Sequence, residues 1–116
     1  MSNLNDLKQK LVDFRDERDW KQFHNPKDLS QAISIEASEL LEHFLWISQK
    51  GSHKIVQDNK EDIADEMADI FAYLLSLSDI TGIDLEDALI NKLEKNKQKY
   101  PIEKSKGIAT KYTKLI

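Results

Sequence analysis

Two stretches of the chain carry carboxylates and apolar side chains in the same order. Ile33-Ser-Ile-Glu36-Ala-Ser-Glu39-Leu40-Leu41 and Ile63-Ala-Asp-Glu66-Met-Ala-Asp69-Ile70-Phe71 both follow I-x-x-E-x-x-[E/D]-[L/I]-[L/F]. At ~100° per residue, a helix places Glu36 among Leu29, Ile33, Leu40 and Ile47, inside its apolar stripe. Glu66 falls likewise among Ile63, Ile70 and Leu77. Glu39 and Asp69 flank the stripe, each three residues on and so on the same face as its partner. Four carboxylates are thus aimed at an interior rather than at water. Desolvating each is costly, and held close together they repel, so the arrangement asks for a cation. All-oxygen donors, with no cysteine in the chain, suit Mg²⁺, or Mn²⁺ in its place, rather than zinc or copper. Mg²⁺ shares its shell readily with substrate phosphates, and two such ions can activate a water and stabilise phosphoryl charge.

Two other chemistries compete for the same acids. A diiron carboxylate bundle also uses interior glutamates, but it wants Glu-x-x-His from each of two helices. Here His43 comes four residues after Glu39 and Tyr73 four after Asp69, so that motif is missing twice. A non-catalytic helical interaction module could hold a metal for structure only.

The elements that must position these acids are helical. Leu4, Leu7, Leu11 and Phe14 give residues 3–20 an amphipathic period. Asn25-Pro26 is a start signal for a second helix, which is expected to run to about Gln49 and stop at Lys50-Gly51-Ser52. Residues 51–58 read as a polar loop. A third helix is expected from Asp58 or Asn59 to Thr81-Gly82, and a fourth from an Asp84 N-cap to Pro101. Residues 102–116, Lys-rich and without apolar periodicity, read as a basic arm. No stretch reads as a strand. The expected architecture is all-α, a four-helix bundle in a single domain over residues 1–116. Apolar residues recur at 40/70, 41/71, 44/74 and 47/77, which pairs the second and third helices antiparallel with their acidic faces opposed.

Length and composition suit one small domain. The chain has 116 residues, 40% of them hydrophobic, enough for a core that oligomerisation would help to complete. No signal peptide and no membrane-spanning run is evident, so a cytoplasmic location is expected, with no membrane or nucleic-acid polymer as partner. Charge is uneven. Residues 1–91 carry nine Lys or Arg against nineteen Asp or Glu; from Lys92 onward, eight Lys stand against two Glu. An acidic body and a basic end suit a phosphorylated ligand bridged by metal, though a basic helix end is also favoured by the helix dipole alone. Lys92 and Asn96 share a helix face, a point charge beside a neutral donor.

The string Phe14-Arg-Asp-Glu17-Arg18-Asp19-Trp20-Lys-Gln22-Phe23-His24-Asn-Pro26, followed by Glu36-x-x-Glu39-Leu-x-Glu42-x-Phe44-x-Trp46, resembles the MazG-like all-α nucleoside triphosphate pyrophosphohydrolases. Glu66-x-x-Asp69, Lys92-x-x-x-Asn96-x-x-Lys99-Tyr100-Pro101 and Lys111-Tyr112-Thr113 extend the likeness across nearly the whole chain, and it is strongest to the dCTP pyrophosphatase branch. The resemblance implies a homo-oligomer, a tetramer or a dimer, that binds Mg²⁺ through Glu36, Glu39, Glu66 and Asp69. It implies cleavage of a nucleoside triphosphate between the α and β phosphates. It also assigns Trp20, Trp46 and Tyr73 to a base and sugar pocket, and Lys92, Asn96, Lys99 and Lys111 to the phosphates. His24 joins these candidates for substrate contact. Read from the residues alone, Trp20 and Trp46 serve equally as core or interface aromatics, and His24 as a loop hydrogen-bonding residue. Leu11 stands where some relatives carry a histidine, which leaves the base, and cytosine in particular, open; dCTP or a modified pyrimidine nucleotide is the expected substrate.

Overall fold

The computed structural model describes residues 3–115. Helix α1, Leu4–Glu17, starts at a capping box: the Asp6 N–H donates to Asn3 Oδ1 at 2.9 Å, and the Asn3 N–H points back to Asp6. The chain reverses through Arg18, Asp19 and Trp20, with Asp19 in the left-handed region (φ +55°). The Arg18 and Trp20 N–H groups both donate to the Arg15 carbonyl, which closes the turn. A 3₁₀ turn, Lys21–Phe23, leads to helix α2, Pro26–Glu42, capped by Asn25 with Pro26 in the first turn.

The second helix is shorter than its periodicity suggests. Beyond Glu42 the bonds tighten to three-residue spacing, His43 N–H to Leu40 and Phe44 N–H to Leu41, and Trp46 then adopts φ +64°. Phe44 and Ile47 therefore leave the helix, and its register match with the later one ends at 41/71. The polar segment read as a loop is instead helix α3, Gln49–Asp58. Ser48 caps it by accepting from the Gly51 N–H at 3.0 Å. Gly51 acts as a point of close approach rather than a stop: a Cβ there would lie 3.0 Å from Ile47 Cγ2 and 3.1 Å from Ser48 Oγ.

Helix α4, Lys60–Thr81, is the longest and packs against α1, α2 and α3. Gly82 ends it in the left-handed conformation (φ +71°), which costs a glycine no Cβ strain. Among the described residues, the buried apolar side chains are Leu29 on α2 and Ile63 and Leu75 on α4. Arg15, on α1, is buried with them. Its Nη1 donates to Asp79 Oδ2 on α4 at 2.8 Å, and its Nε to Asp16 Oδ1 at 2.9 Å. One cation thus ties α1 to α4.

The chain divides into two compact units, the first ending at Gly82 and the second beginning at Ile83. The second holds helix α5, Leu85–Lys99, capped by Asp84, and helix α6, Ile102–Ser105. A 3₁₀ turn, Tyr112–Lys114, follows. The Tyr112 ring meets Tyr100 edge-on at 5.9 Å, and Lys99 Nζ lies 4.9 Å from its centroid. No described residue is in a strand.

The α1–α4 tie gives a first prediction. Asp79→Ala strips a buried guanidinium of one of its two carboxylates, so unfolding free energy in a urea titration should fall by about 1–3 kcal/mol.

Candidate active site

Helix α2 carries Glu36 and Glu39, α4 carries Glu66 and Asp69, and the two helices pack together. The four carboxylates thereby act on one another. Burial raises the Glu36 pKa first; the Glu39 charge, a hydrogen bond to Glu39 that needs a proton, and the Asp69 and Glu66 charges raise it further. The arrangement has an inner and an outer pair: Glu36 and Glu66 are half-buried, Glu39 and Asp69 exposed. Glu36 Oε2 and Glu66 Oε2 are sealed from water with no hydrogen-bond partner. His43 Nε2 lies 2.7 Å from Glu66 Oε2, but without the alignment of a hydrogen bond.

These observations fit a hard divalent cation. Two buried oxygens lacking donors, and a carboxyl that neighbouring anions push towards protonation, are what a cation would relieve. Among the described residues, no three His, Asp or Glu side chains already stand as ligands of one ion.

Beside the acids lies a cavity of about 200 Å³, with Asp69 as one of its walls. Trp20, His24 and Tyr73, three of the residues picked out for substrate contact, line it with Phe14, Arg15 and Ser76. The Arg18 guanidinium sits 3.7 Å from the centroid of Phe14, whose ring meets Trp20 edge-on at 5.7 Å, so the aromatic wall is braced from behind. Burial, then the Arg15 charge, lowers the His24 pKa, and His24 Nδ1 is sealed without a partner. Burial would also lower the Arg15 pKa, but Asp16 and Asp79 outweigh it and keep the guanidinium charged.

Trp46 does not line this cavity; it stands 99% exposed on the turn after α2. Lys92, Asn96, Lys99 and Lys111 belong to the second unit. Lys92 is exposed on α5, Asn96 is half-buried and lines a groove there with Leu93 and Tyr100, Lys99 faces Tyr112, and Lys111 precedes the last 3₁₀ turn. Sequence reasoning passed over Arg15 and Ser76, and weighed His43 only as an iron ligand. Each left a trace in the spacing: Arg15 comes four residues after Leu11 in the α1 stripe, Ser76 three after Tyr73, and His43 four after Glu39.

The model of the MazG-like family matches residues 31–115, which contain both acid pairs. The chain belongs to the MazG-like family. Similarity also reaches beyond the matched residues. Mouse dCTP pyrophosphatase 1 is 37% identical over 97% of this chain and 67% of its own, and the human protein of that name is 32% identical over the same shares. The crystal structure of a pyrophosphatase from Archaeoglobus fulgidus superposes with a TM-score of 0.83 at 39% identity, covering 87% of this chain and 94% of that one. This MazG-like protein is accordingly an enzyme, a hydrolase of phosphoric anhydrides. No helix among the described residues is long and apolar enough to cross a membrane.

The raised Glu36 pKa sets the sign of a pH effect. The folded state holds the Glu36 proton more tightly than the unfolded chain, so this contribution to stability is full below the unfolded pKa. It is lost as pH rises through the raised folded value. In metal-free buffer, Glu36→Gln should melt at a higher temperature than the wild type at pH 7, and the gap should close towards pH 4. Thermal melts in chelator across that range check it.

Proposed function

We propose that this MazG-like enzyme hydrolyses a deoxynucleoside triphosphate, dCTP or a modified pyrimidine nucleotide, between its α and β phosphates. The products are the nucleoside monophosphate and pyrophosphate. The observation that carries this reading is the aromatic cavity sharing Asp69 with the acidic cluster: a planar base is offered a ring-lined slot beside a group suited to phosphate-bound metal. Stacking on Trp20 or Tyr73 is worth about 1–3 kcal/mol per base. Glu36, Glu39, Glu66 and Asp69 are the residues to hold Mg²⁺, with Mn²⁺ as a substitute. When bound, Mg²⁺ would neutralise phosphate charge and acidify a water for attack. The chain's own contribution is to gather the acids on two packed helices, to seat the base away from solvent, and to leave a carboxylate free to take a proton from the attacking water. Lys92, Asn96, Lys99 and Lys111 supply donors of the kind a triphosphate needs, and their chemistry rather than their placement supports that role.

A homo-oligomer, a tetramer or a dimer, belongs to the same reading. Ile35 and Leu41 on α2 and Met67 and Phe71 on α4 are exposed at 41–58%. Apolar surface on that scale, over so small a buried core, is what further copies of the chain would cover. Nucleotide-pool sanitation in the cytoplasm is the role that follows, with no nucleic-acid polymer or membrane as partner.

The test is a product assay over ribo- and deoxynucleoside triphosphates in Mg²⁺, with mono- and diphosphate products separated. Monophosphate plus pyrophosphate, fastest from a pyrimidine deoxynucleotide, is the expected outcome. Asp69→Ala should lower turnover about 100-fold or more, the scale of losing a group at the reacting phosphates. Release of diphosphate and inorganic phosphate, or no turnover with either Mg²⁺ or Mn²⁺, would overturn the reading.

A further inference from the structure

His24 closes one side of the cavity, yet nothing in the protein explains its ring. Nδ1 is sealed from solvent and has no hydrogen-bond partner. Nε2 has no protein partner either but is not sealed, so of the two nitrogens it is the one a ligand in the cavity can meet. The two positions differ in what they tolerate. An orphaned buried N–H is costlier than an orphaned acceptor, so the sealed Nδ1 is better left bare. The Arg15 cation, felt at His24, acts in the same direction, since it opposes a second proton on the ring. A neutral imidazole with Nδ1 bare carries its hydrogen on Nε2. Arg15 and the Trp20 indole, which line the same cavity, can likewise only donate. His24 Nε2–H is therefore an unengaged donor in the cavity, beside the acceptors that Asp69, Tyr73 and Ser76 bring to the rest of its lining, and it is matched to an acceptor on the ligand.

We propose that His24 reads the base: its Nε2–H donates to a carbonyl oxygen of a pyrimidine seated against Trp20 and Tyr73. The ring's buried nitrogen stays bare beside the Arg15–Asp79 pair. A cavity of about 200 Å³ lies below the ~300–1,000 Å³ of drug-sized sites, which favours a single-ring base. The inference rests on the nucleotide reading above for the class of ligand, and it assigns His24 to base selection rather than to the hydrolytic step.

The experiment combines binding with nitrogen NMR on the full chain in Mg²⁺ and needs no turnover. At pH 7, ¹⁵N spectra of the free protein should show the His24 hydrogen on Nε2, and dCMP should shift that resonance. By calorimetry, dCMP should bind about tenfold more tightly than dAMP, whose base has no carbonyl, the scale of one hydrogen bond made or missed. His24→Leu should weaken dCMP about tenfold while leaving 2-deoxyribose 5-phosphate, which has no base, within about twofold. His24→Gln, which restores a donor, should recover part of the loss. A hydrogen on Nδ1, equal binding of dCMP and dAMP, or equal weakening of dCMP and the base-free sugar phosphate would each overturn the proposal. Failure of the wild type to cleave triphosphates would instead sink the hydrolase reading alone.

Discussion

Everything in the first unit answers to one constraint: four carboxylates brought to the junction of two packed helices repel. Glu36 shows it most directly, with its acidity suppressed by burial and by three neighbouring acids. A fold selected for stability alone would place apolar side chains at these positions of α2 and α4. The protein tolerates the repulsion by dividing the site into an inner pair, Glu36 and Glu66, and an outer pair that still reaches water. His43 Nε2 stands 2.7 Å from Glu66 Oε2 at the edge of the inner pair. A cation entering such a site would relieve part of that cost.

The cavity beside the acids depends on a second device, the closure of α1 on α4. The Arg15 carbonyl terminates α1 and holds Trp20 in the turn, while the Arg15 guanidinium bonds Asp79 on α4. The backbone and side chain of a single residue thus set both the wall that Trp20 forms and the floor beneath it. Asp69 belongs to the acidic cluster and to the cavity at once, so the two share a boundary. Few apolar side chains among the described residues are fully buried in this arrangement.

Local order was well marked in the chain. The start signals at Asn25 and Asp84, the glycine at position 82 and the apolar period of α1 and α4 each report on a few neighbouring residues, and each corresponds to an element in the structure. Helix α2 and the segment after it were less legible. Glycine at 51 and a run of polar residues read as a loop because, in isolation, they favour neither helix nor strand. Packing against α4 makes that segment a helix, and the tight turn through Trp46 supplies its start. That turn also carries Trp46 clear of the cavity where Trp20 and Tyr73 meet.

The sequence by itself determined which acids share a face on each helix, because that follows from spacing along one chain segment. It could not determine which groups face one another from different segments. The approach of His43 to Glu66, the burial of Arg15 by an aspartate sixty-four residues away, and the sealing of one His24 nitrogen while the other stays open belong to the tertiary structure. They arise where helices cross. Periodicity records the direction in which a side chain leaves its own helix, whereas partnership and burial depend on the helix that comes to lie against it.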